Sequence, residues 1–280
     1  MKIYVSTGLI KNKTTIEIAK ELIKNNIYNI EFSSGKFEKD ILKKIKRLKI
    51  NSQIHNYFPV PKKPFIINLA STNVKIFNQT MKHLKKSINF SKEINAKYFS
   101  FHAGFLVDPS IKDFGKSLSR NVINNHAKSL KLFIKRLNIL ANYAKKKNVQ
   151  LLIENNVITK KNLYRFDKNP FLMSHYSDAK KIMKNCGDNV GLLVDVAHLK
   201  VSAKTLKFKP EEYLIKLNKY IQAYHLSDNN SLADENKNIT HKSWFWKYIK
   251  KDSKFCTLEL KNLKINNIKK QLKIVSQKLN

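Results

Sequence analysis

Six short apolar runs of this chain, 53–55, 98–102, 151–154, 192–195, 222–225 and 256–259, stop in turn on His55, His102, Glu154, Asp195, His225 and Glu259. Runs of this length, rich in β-branched and aromatic residues, read as buried parallel strands. A residue able to ligate a metal therefore stands at the C-terminal end of each strand. In an eight-stranded β/α barrel those ends converge on one face, the face that carries the active site. One such ending carries little weight; six in order point to an enzyme centred on a metal.

Two further runs, 2–6 and 29–33, bring the strands to eight. Amphipathic stretches lie between them. Ile16, Ile18, Ala19, Leu22 and Ile23 form one apolar stripe, Ile41, Leu42, Ile45 and Leu48 another, and helical spacing recurs over 76–94, 122–147, 179–185, 211–217 and 265–279. Strict β-then-α alternation predicts an α/β fold, a single (β/α)8 TIM barrel forming one domain over residues 1–280. No linker, low-complexity tail or glycine-rich phosphate loop interrupts it. The loops over 59–70 and 228–243 are longer than a minimal connection and leave the strand-end face, where they can shape a site.

A chain of 280 residues buries a large core without disulfides. Cys186 and Cys256 show no secreted-type spacing, so a reducing cytoplasm is expected. No stretch approaches the roughly 20 apolar residues of a membrane span, and the start reads as a strand rather than a signal peptide. A homo-oligomer is compatible with this composition and not required by it.

The formal net charge of +35 invites a nucleic-acid reading. Yet Arg47, Arg120, Arg136 and Arg165 are the only arginines, and arginine is the residue selected for bidentate phosphate recognition. The excess is lysine spread over every predicted helix, together with abundant asparagine and isoleucine, as AT-rich codons produce. Solvated helix faces are favoured over a dedicated phosphate track.

Glu154, Asp195, His225 and Glu259 end four successive strands. Three carboxylates and an imidazole in one confined space repel each other unless a cation compensates them. An oxygen-rich set with one nitrogen suits one divalent Mn, Mg, Co or Zn ion. Singly, each residue reads as a strand cap or a lysine partner; all four together favour the metal. His55 and His102 on neighbouring strands add a second metal position or substrate contacts. His198, three residues beyond Asp195 and expected on the loop above its strand, joins them. His83 and His126 fall in helical stretches and are expected to face solvent. His175, in an irregular segment, has no tie to the site, and His241 in the long seventh loop stays open. Asn56, Tyr57, Asn155, Asn156 and Lys200 are candidate pocket contacts, and Trp244 and Trp246 are expected to pack.

At these residues the chain resembles the xylose-isomerase-like TIM-barrel superfamily, which holds sugar isomerases and epimerases and also the endonuclease IV type of apurinic-site enzyme. The segments Ile54-His55-Asn56-Tyr57, Ile67-Asn68-Leu69-Ala70 and Phe101-His102-Ala103-Gly104 look like the endonuclease branch. Ile153-Glu154-Asn155, Val194-Asp195-Val196-Ala197-His198, His225-Leu226-Ser227-Asp228 and Leu258-Glu259-Leu260 are shared by both branches. The isomerase branch implies one metal on Glu154, Asp195, His225 and Glu259, with Glu154 and Glu259 moving a substrate proton and His198 touching substrate. The endonuclease branch implies two or three zinc ions on His55, His102, Glu154, Asp195, His198, His225 and Glu259. Its remaining ligands come from an Asp-x-His motif, for which this chain offers Asp234-Glu235-Asn236.

Three functions follow. The first is a metal-dependent sugar or sugar-phosphate isomerase or epimerase working through an enediol(ate), as the intact four-ligand set and the broken Asp-x-His motif favour. The second is an endonuclease IV-like phosphodiesterase acting on abasic DNA, which His55, His102 and the charge support and Asn236 opposes. The third is a barrel that binds without catalysis, against which the retained glutamates stand.

Overall fold

The computed structural model describes residues 1–8, 13–113, 118–119, 122–261 and 264–279; Arg120 lies outside them. Strands β1 (Lys2–Ser6), β2 (Asn29–Phe32), β3 (Asn51–His55), β4 (Tyr98–His102), β5 (Gln150–Glu154), β6 (Val190–Asp195), β7 (Ile221–Leu226) and β8 (Phe255–Leu258) run in parallel, each pairing with the next. Pairing of Lys2–Val5 with Phe255–Leu258 closes the ring, so the expected (β/α)8 barrel is the fold.

Around it pack α1 (Thr15–Lys24), α2 (Ile41–Lys46), α3 (Val74–Glu93), α4 (His126–Lys145), α5 (Lys160–Phe166), α6 (Tyr176–Lys184), α7 (Val196–Leu206), α8 (Pro210–Leu217) and α9 (Ile265–Leu279). The amphipathic stretches fall on α1 to α4, α6, α8 and α9. Helices α5 and α7 go beyond the sequence expectation, for different reasons. Helix α5 has only 7 residues, too few to display a stripe. Helix α7 buries Val196, Ala197, Leu199, Val201 and Ala203, leaving little polar face to mark the period. Its first turn carries His198, which is therefore a helix residue and not a loop residue as expected.

Strand parity divides the apolar residues into two bodies. Ile54, Phe99, Phe101, Ile153, Val194, Tyr224 and Leu258 point outward and join the helices in the main core. Their neighbours point into the lumen. There Tyr4, Leu152, Leu193, Ala223 and Phe255 form a second, smaller cluster joined by Tyr98. The Tyr4 and Tyr98 rings meet Phe255 at 5.5 and 5.4 Å and plug the N-terminal half of the barrel. Two residues further along the same strands the lumen turns polar: Leu152 is followed by Glu154, Leu193 by Asp195, Ala223 by His225. The period of two that builds the plug thus delivers the ligand residues to one chamber above it.

No helix among the described residues is long and apolar enough to cross a membrane. Trp244 and Trp246 pack against the core beside buried Phe245, as expected.

Two helical histidines depart from the expected solvent-facing role. His83 is buried, with Nε2 3.4 Å from the Asn56 carbonyl, and burial depresses its pKa to about 4. His126, at the start of α4, is half exposed but pairs through Nε2 with Asp178 Oδ2 of α6 at 3.1 Å. The Asp178 hydrogen bond raises the His126 pKa above 6.5 despite partial burial. A raised folded value gives a contribution fully present below the unfolded value and lost as pH climbs through the folded one. Chemical denaturation should therefore show His126→Gln destabilising the protein most near about pH 5.5, with the difference fading by about pH 8; a difference independent of pH would refute the pairing.

Candidate active site

Glu154 is the centre of the polar chamber. Its side chain is fully buried, and His55 Nε2 and His102 Nδ1 both lie 3.3 Å from Oε2. On the other oxygen, Oε1, stand His225 Nδ1 at 3.2 Å and His198 Nδ1 at 3.6 Å. Glu259, one residue past β8, reaches His225 Nδ1 at 2.9 Å. Asp195 Oδ2 lies 3.8 Å from His198 Nε2. All seven residues singled out from the sequence are therefore brought together.

Local structure explains how each is held. Asp195 ends β6 and is also the N-cap of α7: Oδ1 accepts the Ala197 and His198 amides at 2.7 and 2.8 Å, satisfying the helix's first free donors. That fixes Oδ2 toward the chamber. Asn155 clamps the same strand end, accepting the Asp195 amide at 2.8 Å and donating to its carbonyl at 3.1 Å. His55 Nδ1 is held by Ser100 Oγ at 2.9 Å, and His198 Nδ1 by the Asn155 carbonyl at 3.1 Å.

Glu31 escaped the sequence reading, while Asp234 enters from the incomplete Asp-x-His motif. Glu31, in the middle of β2, is fully buried and sits 3.1 Å from His225 Nε2, with Thr257 Oγ1 donating to it at 3.1 Å. A carboxylate flanked by Ile30 and Phe32 inside a strand was the available signal, since such a position faces the lumen. Asp234, in the loop after β7, reaches His198 Nε2 at 3.2 Å. Asn236, two residues on, donates its amide to the Glu259 carbonyl at 3.2 Å.

The arrangement fits a cation. Glu154 Oε1 and Oε2, Asp195 Oδ2, His102 Nδ1 and His225 Nδ1 are buried and make no hydrogen bond among the described residues, although neighbours lie about 3 Å away. Short separations without hydrogen-bond alignment mean that lone pairs converge on shared points, as ligands around an ion do. Three overlapping groups have ligand atoms within 4.8 Å of one another: Glu154, Asp195, His225 and Glu259; His55, Glu154 and His225; His102, Glu154 and His198. Burial pushes Glu154 up to about 7 and Asp195 up to about 6, with neighbouring imidazoles opposing. Burial disfavours the charged forms of His225 and His198, but the carboxylates around them outweigh it and hold both well above the usual imidazole value. Burial, followed by the charge on the other rings, holds His55 far down and His102 at about 3. Protons thus balance the cluster, and a divalent cation would take their place.

Of the candidate contacts, Asn56, Tyr57 and Asn156 line a cavity of about 480 Å³ that opens onto His102, His198 and Asp234. Asn156 also donates to the Ala103 and Leu172 carbonyls, each at 2.9 Å, and so braces two loops. Lys200 is committed elsewhere, to Asp228 and the Asn229 carbonyl, both at 2.6 Å. His175 caps α6 and, like His241, takes no part in these ligand groups.

A family model described as a xylose isomerase-like TIM barrel matches residues 14–272. No curated protein sequence matches the chain. Among solved structures, a D-tagatose 3-epimerase-like protein is 18% identical over 100% of this chain and 97% of its own, with a TM-score of 0.76. A Thermus thermophilus protein soaked with ZnCl2 is 16% identical over 99% of both chains, with a TM-score of 0.68. The D-psicose 3-epimerase of Clostridium cellulolyticum, solved with D-tagatose, is 10% identical over 93% of this chain and 85% of its own, with a TM-score of 0.67. At these identities the likeness is one of fold.

Glu31 should matter through His225, because a carboxylate on the far ring nitrogen fixes the orientation of a ligating imidazole. Glu31→Ala is expected to weaken binding of Zn²⁺ or Mn²⁺ by about 10–100-fold in competition with a chelating dye. Glu31→Gln, which keeps an acceptor, should lose less. Unchanged affinity in a folded Ala variant would remove Glu31 from the site.

Proposed function

This chain belongs to the xylose isomerase-like TIM-barrel family, and we propose that within it the protein is a metal-dependent sugar or sugar-phosphate isomerase or epimerase. The observation that carries the reading is the group of Glu154, Asp195, His225 and Glu259, with ligand atoms all within 4.8 Å of one another. Its likeness in fold to epimerases of ketoses supports the same reading.

These four residues would hold the ion. A divalent cation supplies charge that stabilises the oxyanion developing on a sugar carbonyl when the neighbouring carbon loses its proton. The chain's own groups do the rest. Glu259, whose side chain keeps 13% of its exposure, would take that proton as general base. Glu154, across the cluster, would act as the second glutamate and return the proton, giving an enediol(ate) route between the two. Asp195 and His225 would fix the centre, and His198, held at Nδ1 by the Asn155 carbonyl, would reach substrate oxygens through Nε2 in place of Asp234.

A second reading, an endonuclease IV-like phosphodiesterase with two or three zinc ions, is favoured by one observation. His55 and His102 approach the same Glu154 oxygen, both at 3.3 Å, so this carboxylate could bridge a further cation. Asn236 weighs against a complete third position, since its amide is turned to the Glu259 backbone.

The test follows deuterium from solvent into the carbon next to the carbonyl across a panel of ketoses and their phosphates. Glu259→Gln should cut exchange by about 100-fold or more, because general acid–base groups contribute that much, while the metal-free fold stays intact. Exchange that survives this change would sink the assigned role. Metal-dependent incision of an abasic-site duplex, without any ketose exchange, would put the second reading in its place.

A further inference from the structure

We infer that the sugar taken by this site carries an apolar, ring-sized substituent at the end remote from its reacting carbons; the inference rests on the sugar reading above. The cavity of about 480 Å³ meets the cluster at His102 and His198. That size lies in the range of roughly 300–1,000 Å³ that suits drug-sized ligands. It exceeds what an unsubstituted open-chain sugar fills.

The cavity has apolar side chains in its lining, set among Asp113, Thr159, Lys161 and Asn162. Ile66, Phe105, Leu118, Val157 and Phe171 line it, drawn from the loops after β3, β4 and β5. Phe105 and Phe171 form an antiparallel bridge, flanked by the Leu106 amide on the Pro170 carbonyl at 2.8 Å and the Leu172 amide on the Gly104 carbonyl at 3.1 Å. Their rings meet edge to face at 5.4 Å. Leu118 and Phe171 belong to an apolar cluster separate from both barrel bodies, with Val107, Ile158 and Phe166 behind them. Ile66, Phe105 and Val157 line the cavity and are only half-buried, an arrangement that favours an apolar ligand group over water.

A phosphate at this end is poorly served. Apart from the two histidines, Lys161 is the only cationic side chain among the described lining residues, and Asp113 and Asp234 oppose it. Phosphate is typically held by paired guanidinium or amide donors, which this wall does not gather. The substituent must also lie away from the carbonyl carbon, because a glycosidic bond there would lock that carbon as an acetal and remove the carbonyl that makes the neighbouring proton acidic.

Calorimetry on the full chain loaded with Mn²⁺ tests this with the 6-O-benzyl ethers, the free forms and the 6-phosphates of D-fructose and D-tagatose. The benzyl ether should bind about tenfold tighter than the free sugar, equivalent to about 1.4 kcal/mol. Phe171→Ala and Ile66→Ala should each erase most of that preference. Phe171 also pins two loops, so Ile66→Ala, on a different loop and half-buried, keeps the test decisive if the first variant folds poorly. Equal binding of ether and free sugar, or tighter binding of the phosphate, overturns the inference and leaves the sugar reading standing. Absence of binding by every form overturns the sugar reading itself, and the inference with it.

Discussion

The structure turns on one carboxylate placed where it cannot be left alone. Both oxygens of Glu154 are out of reach of water inside the barrel, and an uncompensated charge there would cost several kcal/mol. Four imidazoles surround it at 3.2 to 3.6 Å, and each of those rings has neighbours of its own. Glu31 answers His225, Ser100 answers His55, and Asp234 and the Asn155 carbonyl answer His198. The chamber is a nested set of partners, in which removing one charge leaves several others unbalanced.

Backbone and ligand chemistry are joined most closely at Asp195. One oxygen opens α7 and the other faces the cluster, so the strand end, the helix start and a candidate ligand atom share one side chain. Asn155 repeats the arrangement between β5 and β6. The precision of the site therefore derives chiefly from the barrel's own hydrogen-bonded frame, to which the loop after β7 adds Asp234.

Much of this was legible in the sequence because strand parity is written there. Apolar runs ending on His55, His102, Glu154, Asp195, His225 and Glu259 located both the barrel and the chamber. Reading only the ends of runs missed Glu31, which lies mid-strand with the same inward parity. Helix α7 hid because a buried helix lacks a polar stripe, and His198 was consequently placed on a loop. His83 shows the opposite limit: helical spacing does not say which face a single polar ring occupies, and its burial depends on contact with the Asn56 carbonyl from a distant loop. The Phe105–Phe171 bridge joins segments 66 positions apart, a pairing no local pattern announces.

The aromatic plug formed by Tyr4, Tyr98 and Phe255 carries a consequence for traffic through the molecule. It seals the lumen below the ligand chamber, so the barrel is a blind shaft with one mouth. An ion held there would have to arrive before an organic guest seated above it, and a spent guest would have to depart before the next could enter. Entry and exit share a doorway, and occupancy of the shaft sets the order of events within it.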